Sequence, residues 1–178
     1  MKHILIINGF PMVGKDTFID ILTEISLIPI FRYSSIDYIK QVAIDSFGYK
    51  DKKDLKGRAL LAGLKDVSTK YNNLPFKKIV QKEESISTMI DSFIYCVCCR
   101  EPEEIKKMVD YYTKEGYNLC TIQIIREDVD GQILSNSADE GVNEYYYDRY
   151  LKNDGGKEDF KKVITNFYKL LIRGRYNE

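Results

Sequence analysis

A glycine-containing stretch near the start of the chain has the residue types and spacing of a phosphate-binding loop. Residues 9–17 read Gly-Phe-Pro-Met-Val-Gly-Lys-Asp-Thr and fit the pattern G-x-x-x-x-G-K. Glycines let a backbone turn sharply and approach phosphate oxygens closely, so that the loop N–H groups can point inward. Lys15 adds a charge that can follow phosphate oxygens during a transfer reaction, and it is the first predicted catalytic residue. The residues predicted to bind nucleotide phosphates are Gly9, Met12, Val13, Gly14, Lys15, Asp16 and Thr17.

The segments on either side of this loop are those that a phosphate-binding loop requires. Residues 4–8 form an apolar run that is typical of a buried strand. After the loop, the apolar face of a helix is predicted by Phe18, Ile21, Leu22 and Ile25. The positive end of that helix would lie behind the bound phosphates.

Asp16 is the residue that departs from the usual loop pattern, which has Ser or Thr at this position. The usual hydroxyl contacts Mg²⁺, and a carboxylate is also a hard oxygen ligand that can hold this ion directly or through a water. Asp16 is therefore the predicted metal residue, with Thr17 as the second choice. Alternatively, Asp16 only interacts favourably with the positive end of the helix dipole.

The composition predicts one domain, residues 1–178, with a substantial core. Lys plus Arg and Asp plus Glu both number 27, and no apolar run approaches the ~20 residues of a membrane span, so neither a nucleic acid nor a membrane is expected as a partner. We expect a cytoplasmic protein without a signal peptide, and the sequence leaves open whether it forms a homodimer. The cysteines expected to be reduced and buried, rather than bridged or zinc-bound, are Cys96, Cys98, Cys99 and Cys120.

Strands that alternate with helices predict an α/β fold with helices on both faces of a five-stranded parallel sheet. The predicted strands are residues 4–8, 29–33, 93–98, 119–125 and 146–151. The predicted helices after the first are residues 36–48, 54–72, 75–86 and 101–115, and a last one that follows the turn at 153–156.

Ligands in such sheets bind at the carboxyl ends of the strands. This rule brings five loops to one edge: residues 9–17, 34–35, 98–101, 126–127 and 153–156. Arg100 and Arg126 each directly follow a central strand, and a guanidinium suits phosphate oxygens. Arg126 is the second predicted catalytic residue, because it could neutralise charge on a phosphate in transit.

The loop resembles that of adenylate kinase and its nucleoside monophosphate kinase relatives, which share Gly9, Pro11, Gly14, Lys15 and Thr17. Its Gly-Lys-Asp-Thr ending is more similar to the bacteriophage-type deoxynucleoside monophosphate kinases. Other segments resemble this P-loop family in the same order along the chain: residues 33–40, 58–61, 100–105, 137–140 and 148–156.

This resemblance implies a P-loop NTPase fold and the transfer of a phosphoryl group from ATP, with Mg²⁺, to a nucleoside or deoxynucleoside monophosphate. It also implies a helical acceptor-binding insertion at residues 36–90 and a lid-like segment at 127–147. The residues implied to hold the acceptor phosphate are Ser34, Lys40, Arg58 and Arg100. The loop implied to lie near the donor base contains Asn153, Gly155 and Gly156.

Cys98 stands where this family carries an Asp that helps to orient Mg²⁺ at the end of strand three. A neutral thiol cannot replace a carboxylate on Mg²⁺, which prefers hard oxygens. Either Asp16 supplies the carboxylate from the loop, or Asp91 or Glu101 does, or catalysis is weak. Asp91 precedes the strand rather than ending it, which makes it a poor substitute.

The lid-like segment also departs from the family, because residues 127–147 contain no Arg or Lys. Arg126 and Arg149 would have to act from its two ends. Two other interpretations stay open: a kinase for another small phosphorylated metabolite, of the animal phosphomevalonate or dephospho-coenzyme A type, and a nucleotide-binding module with weak or no catalysis. Tyr145–Tyr147 could stack on a base, although such a run more often places one ring in the core.

Overall fold

Five parallel strands form the sheet of this protein, seen in a computed structural model that describes residues 1–50, 54–127 and 141–174. The strands are β1 (Lys2–Asn8), β2 (Ile30–Ser34), β3 (Phe93–Cys98), β4 (Asn118–Ile125) and β5 (Arg149–Lys152). Their order in the sheet is β2-β3-β1-β4-β5. The α-helices in the described residues are α1 (Lys15–Ile25), α2 (Asp37–Phe47), α3 (Leu55–Asn72), α4 (Leu74–Ser87), α5 (Pro102–Lys114) and α6 (Lys157–Ile172).

The chain divides into two compact units. Residues Met1–Arg32 and Asp91–Glu178 form one of them, here called the sheet unit. Residues Tyr33–Ile90, here called the helical unit, contain α2, α3 and α4. None of the helices in the described part of the chain has both the length and the apolar character of a membrane span.

The central strand β1 is buried on both faces, as expected for a parallel sheet covered by helices. Its side chains alternate, and Leu5 and Ile7 pack in a cluster with Phe18 of α1 and with Ile164 and Phe167 of α6. The rings of Phe18 and Phe167 lie 5.9 Å apart and are tilted against each other. These contacts hold α1, and with it the loop before α1, on one face of the sheet.

The predicted fold class is confirmed, and the helices and strands lie within a few residues of their predicted positions. The fifth strand was predicted at 146–151 but begins only at Arg149. Its pairing with β4 starts at Ile122, because the Asp148 carboxylate accepts the Thr121 backbone N–H at 2.7 Å and its hydroxyl at 2.8 Å. A side chain thus satisfies the backbone group that a longer strand would have bonded.

His3 is a buried, titratable residue of β1, with 1% of its surface exposed. Burial, helped by the positive amino terminus, lowers the pKa of its imidazole from about 6.5 to about 4. The folded protein therefore keeps His3 neutral at pH values at which the unfolded chain is protonated.

We expect His3 to make the protein less stable as the pH falls from 6.5 towards 4, because only the unfolded state takes up the proton in this range. Because of His3, the free energy of unfolding should be about 2–3 kcal/mol lower at pH 4.5 than at pH 7. In a His3→Gln variant this part of the difference should be absent. Urea titrations followed by circular dichroism measure that difference. The same pH dependence in both proteins would contradict the assignment.

Candidate functional site

The predicted phosphate-binding loop lies between the end of β1 and the start of α1. Its backbone is left-handed at three positions, with φ values of 141° at Gly9, 68° at Met12 and 101° at Gly14. Helix α1 begins at Lys15, directly after the last of these. The loop therefore turns tightly over the positive end of a helix, which is the arrangement that favours an anion.

The glycines of this loop are needed for space as well as for their backbone angles. A Cβ atom on Gly9 would lie 2.6 Å from the Ile124 carbonyl oxygen and 2.8 Å from Cγ2 of Val13. On Gly14 it would lie 2.5 Å from Nδ2 of Asn153. The loop is thus packed closely against the ends of β4 and β5, and a side chain at either glycine would push it out of place.

Lys15 reaches back across the loop that precedes it. Its Nζ donates hydrogen bonds to the carbonyl oxygens of Gly9, at 2.5 Å, and of Phe10, at 2.7 Å. Phosphate oxygens carry more negative charge than these carbonyls, so a bound phosphate can take over the ammonium group. The prediction that Lys15 serves phosphates is consistent with this position.

Asn8 anchors the loop and was not singled out from the sequence. Its Oδ1 accepts the Gly9 N–H at 2.7 Å, and its Nδ2 donates to the Arg100 carbonyl at 3.1 Å and to the Tyr147 hydroxyl at 2.5 Å. The Tyr147 hydroxyl in turn donates to the Val142 carbonyl at 3.0 Å. A polar residue at the end of a buried apolar strand is the signal that could have revealed it, since buried polar groups need partners.

The three consecutive tyrosines have different environments. Tyr147 is buried, and this burial raises the pKa of its hydroxyl well above the ordinary value. Tyr146 is 95% exposed, and the ring of Tyr145 lies 5.0 Å from that of Tyr147. Tyr147 therefore packs in the core and its hydroxyl accepts a hydrogen bond from Asn8. Because its ring is buried, it is not open to a base.

Asn153 holds the loop from the opposite side. Its Nδ2 donates to the Val13 carbonyl at 2.8 Å, and its backbone N–H donates to the Ile125 carbonyl at 2.8 Å. The described contacts of Asn153 are thus with the phosphate loop and β4. Gly155 and Gly156 follow it and lead into α6, whose N-cap is Gly156. A role for these three residues near the donor base stays a prediction.

Two arginines follow the strands on either side of β1. Arg126, after β4, is half-buried, and its Nε is buried without a hydrogen-bond partner within residues 1–50, 54–127 and 141–174. Arg100, after β3, is half-buried, and its carbonyl oxygen accepts a hydrogen bond from the side-chain amide of Asn8. The catalytic role of Arg126 and the acceptor role of Arg100 stay predictions.

The residues predicted to serve a metal ion offer few ligands. Asp16 forms an ion pair with Arg32, and the two side chains are 71% and 46% exposed, respectively. Cys98 ends β3, as predicted, and brings no carboxylate to this edge. No group of three or more His, Cys, Asp or Glu side chains in the described ranges could hold a metal ion. Mg²⁺ is often bound through one or two carboxylates plus substrate phosphates, so Asp16 with Thr17 fits this ion only together with a nucleotide.

The helical unit contains the other predicted acceptor residues. The Ser34 backbone N–H donates to Asp37 at 2.7 Å, at the start of α2, and Lys40 is half-buried one turn later. Arg58 is exposed near the start of α3. The lid-like segment is described only at Glu127 and residues 141–147, and residues 137–140 lie outside the described residues.

Lys65 is a cationic residue of the helical unit that sequence analysis missed. Its Nζ donates to the hydroxyl of the buried Ser35 at 3.0 Å. Lys65 lies seven residues after Arg58 on α3, and this spacing puts both cations on one face of the helix. That spacing is the signal that could have found it.

Comparisons with known proteins agree with this geometry at the level of the fold. No protein-family model matches the sequence, and no curated protein matches it. A solved structure of shikimate kinase from Aquifex aeolicus is similar over 98% of this chain and 99% of its own, with 16% identity and a TM-score of 0.54. Dephospho-CoA kinase from Campylobacter jejuni is similar over 96% of this chain and 97% of its own, with 14% identity and a TM-score of 0.52. An unliganded sugar kinase from Janibacter has 9% identity, covers 95% of both chains and gives a TM-score of 0.52. The chain therefore has the predicted P-loop fold.

A Gly9→Ala variant should lose about 3 kcal/mol or more of stability and should no longer bind nucleotide, because its Cβ would meet the Ile124 carbonyl. Gly48→Ala is the matched control: Gly48 also has a positive φ, 65°, but, its two chain neighbours aside, no atom of the described residues lies within 4 Å of its Cβ position. This control should cost only about 1–2 kcal/mol. Urea unfolding and titration with a fluorescent ATP analogue measure the two effects. Equal costs for both variants would show that the loop is not closely packed.

Proposed function

We propose that this protein is a P-loop kinase that transfers the γ-phosphoryl group of ATP, with Mg²⁺, to a nucleoside or deoxynucleoside monophosphate. The observation that carries the proposal is the Gly9–Thr17 loop, which combines left-handed turns, the start of α1 and the ammonium group of Lys15. The fold supports it, because the solved structures that share this fold include kinases for shikimate and dephospho-CoA.

In this proposal the donor phosphates bind to the loop N–H groups and to Lys15. The Lys15 ammonium group then exchanges its hydrogen bonds to the carbonyl oxygens of Gly9 and Phe10 for hydrogen bonds to phosphate oxygens. Phosphoryl transfer depends on positioning and on charge stabilisation rather than on covalent chemistry by the protein. Arg126 neutralises negative charge on the phosphoryl group as it moves. Asp16 and Thr17 would hold Mg²⁺, which neutralises charge on the phosphates when it is bound.

The acceptor phosphate is assigned to Ser34, Lys40, Arg58 and Arg100. Lys65 joins this set, because its hydrogen bond to Ser35 keeps an ammonium group beside the end of β2. Several cations suit a nucleoside monophosphate, whose phosphate carries close to two negative charges at neutral pH.

A nucleotide-binding module with weak or no catalysis is the second candidate. Two observations favour it: Asp16 is engaged by Arg32, and β3 ends in the thiol of Cys98 rather than in a carboxylate. Such a module would bind ATP through the same loop, so turnover is the property that separates the two candidates.

An assay of ADP formation with a panel of acceptors tests the proposal. The panel contains the ribo- and deoxyribonucleoside monophosphates, dephospho-coenzyme A and phosphomevalonate. We expect turnover with at least one nucleoside monophosphate. Lys15→Met should lower it about 100-fold or more, because a charge that stabilises the transition state is lost. Lys114→Met, which removes an exposed lysine at the end of α5, is the control.

The outcomes of this assay separate the candidates. Turnover with dephospho-coenzyme A or phosphomevalonate alone would identify the other type of metabolite kinase. ATP binding without ADP formation for any acceptor would favour the binding module. Full activity of folded Lys15→Met would contradict the assignment of the loop.

Arg58→Ala and Lys65→Met should each raise the KM of the acceptor by about 10-fold or more and leave the KM of ATP nearly unchanged. Each variant removes a charge-assisted hydrogen bond to the acceptor phosphate, which is worth roughly 1.5–3 kcal/mol. Lys77→Met, an exposed lysine of α4 in the same unit, is the control. Steady-state kinetics with each substrate varied in turn make the measurement. A parallel rise of both KM values would argue against a specific acceptor role.

A further inference from the structure

The proposed kinase mechanism gives no role to Arg32, which forms an ion pair with Asp16. Asp16 lies in the first turn of α1, immediately after Lys15, and Arg32 lies on β2. Within the described ranges, Asp16 has no other ion pair and no side-chain hydrogen bond. The carboxylate that the proposed function assigns to Mg²⁺ is therefore already held by a cation of the same chain.

Arg32 reaches this carboxylate from across the sheet. In the strand order, β3 separates β2 from β1, and the loop follows β1. Burial raises the pKa of the Cys96 thiol on β3, and the positive charge of Arg32 opposes this rise. The residue that ends β3 on this side is Cys98, which packs at the margin of the same core cluster as Cys96.

The ion pair between Asp16 and Arg32 is weak enough for a competing ligand to break it. Both side chains are substantially exposed, and ion pairs in such positions contribute roughly 0–1 kcal/mol. A divalent ion that is also bound by nucleotide phosphates can displace a guanidinium from a carboxylate at this cost. The displaced guanidinium then carries a free fork of N–H donors next to the phosphate-binding loop.

We propose that Arg32 is a positioning residue that competes with Mg²⁺ for Asp16. Arg32 holds the Asp16 carboxylate in the absence of metal and nucleotide. Arg32 must release this carboxylate when the metal–nucleotide complex binds. Arg32 thereby sets the Mg²⁺ concentration that tight nucleotide binding requires. This inference rests on the proposed function, because it takes Mg²⁺ with ATP as the ligand of the loop.

The test measures binding, not turnover. A fluorescent ATP analogue is held at a fixed concentration, and Mg²⁺ is titrated at constant ionic strength. We expect Arg32→Gln to lower the Mg²⁺ concentration at half-saturation by about 3- to 5-fold, which corresponds to loss of a competing pair of this strength. Arg32→Lys keeps the charge but loses the fork, so it should shift the midpoint in the same direction by less. Arg173→Gln, an exposed arginine after α6, makes the same change in net charge and should leave the midpoint unchanged.

A double-mutant cycle isolates the contact. In an Asp16→Asn background, Arg32→Gln should no longer shift the midpoint, because the shared carboxylate is gone. A midpoint that is unchanged or higher in folded Arg32→Gln would overturn the inference and leave the proposed function standing, and an equal shift in the Asp16→Asn background would do the same. If Mg²⁺ has no effect on binding in the unmodified protein, both the inference and the metal dependence of the proposed function are wrong.

Discussion

The close approach of the Gly9 backbone to the carbonyl of Ile124 is the constraint on which the candidate site depends. With only a hydrogen in place of a side chain, β1 and β4 can stay paired up to the point where the chain leaves the sheet. The chain then turns over the start of α1, which is itself held by packing against α6. The position of Lys15, and every role assigned to it, follows from this turn.

Buried polar side chains keep the loop in this position. Asn8 holds its first N–H group, and Asn153 holds the carbonyl of Val13 from the end of β5. The Tyr147 hydroxyl links Asn8 to Val142, because it accepts a hydrogen bond from the Asn8 amide and donates one to the Val142 carbonyl. Because these groups satisfy one another away from water, the loop can keep its shape before any phosphate arrives.

Much of the fold could be predicted from the sequence, because periodicity and loop chemistry are local. Alternating apolar runs and amphipathic stretches located the strands and helices, and the glycines with Lys15 located the loop. The start of β5 was predicted less well, since the bond between Asp148 and Thr121 joins residues that are far apart in the chain. The partners of Asp16 and Ser35 were missed for the same reason, because Arg32 and Lys65 come from other elements.

The sequence by itself determined the class of fold and the chemistry of the loop, because both follow from residue types at short spacing. Only the tertiary structure decided which cation meets which carboxylate, and that Tyr147 is the buried member of the three consecutive tyrosines. Such pairings depend on how separate strands and helices are brought side by side. The packing of the whole unit determines which partner a side chain meets across a sheet. The residues next to that side chain in the sequence therefore do not indicate its partner.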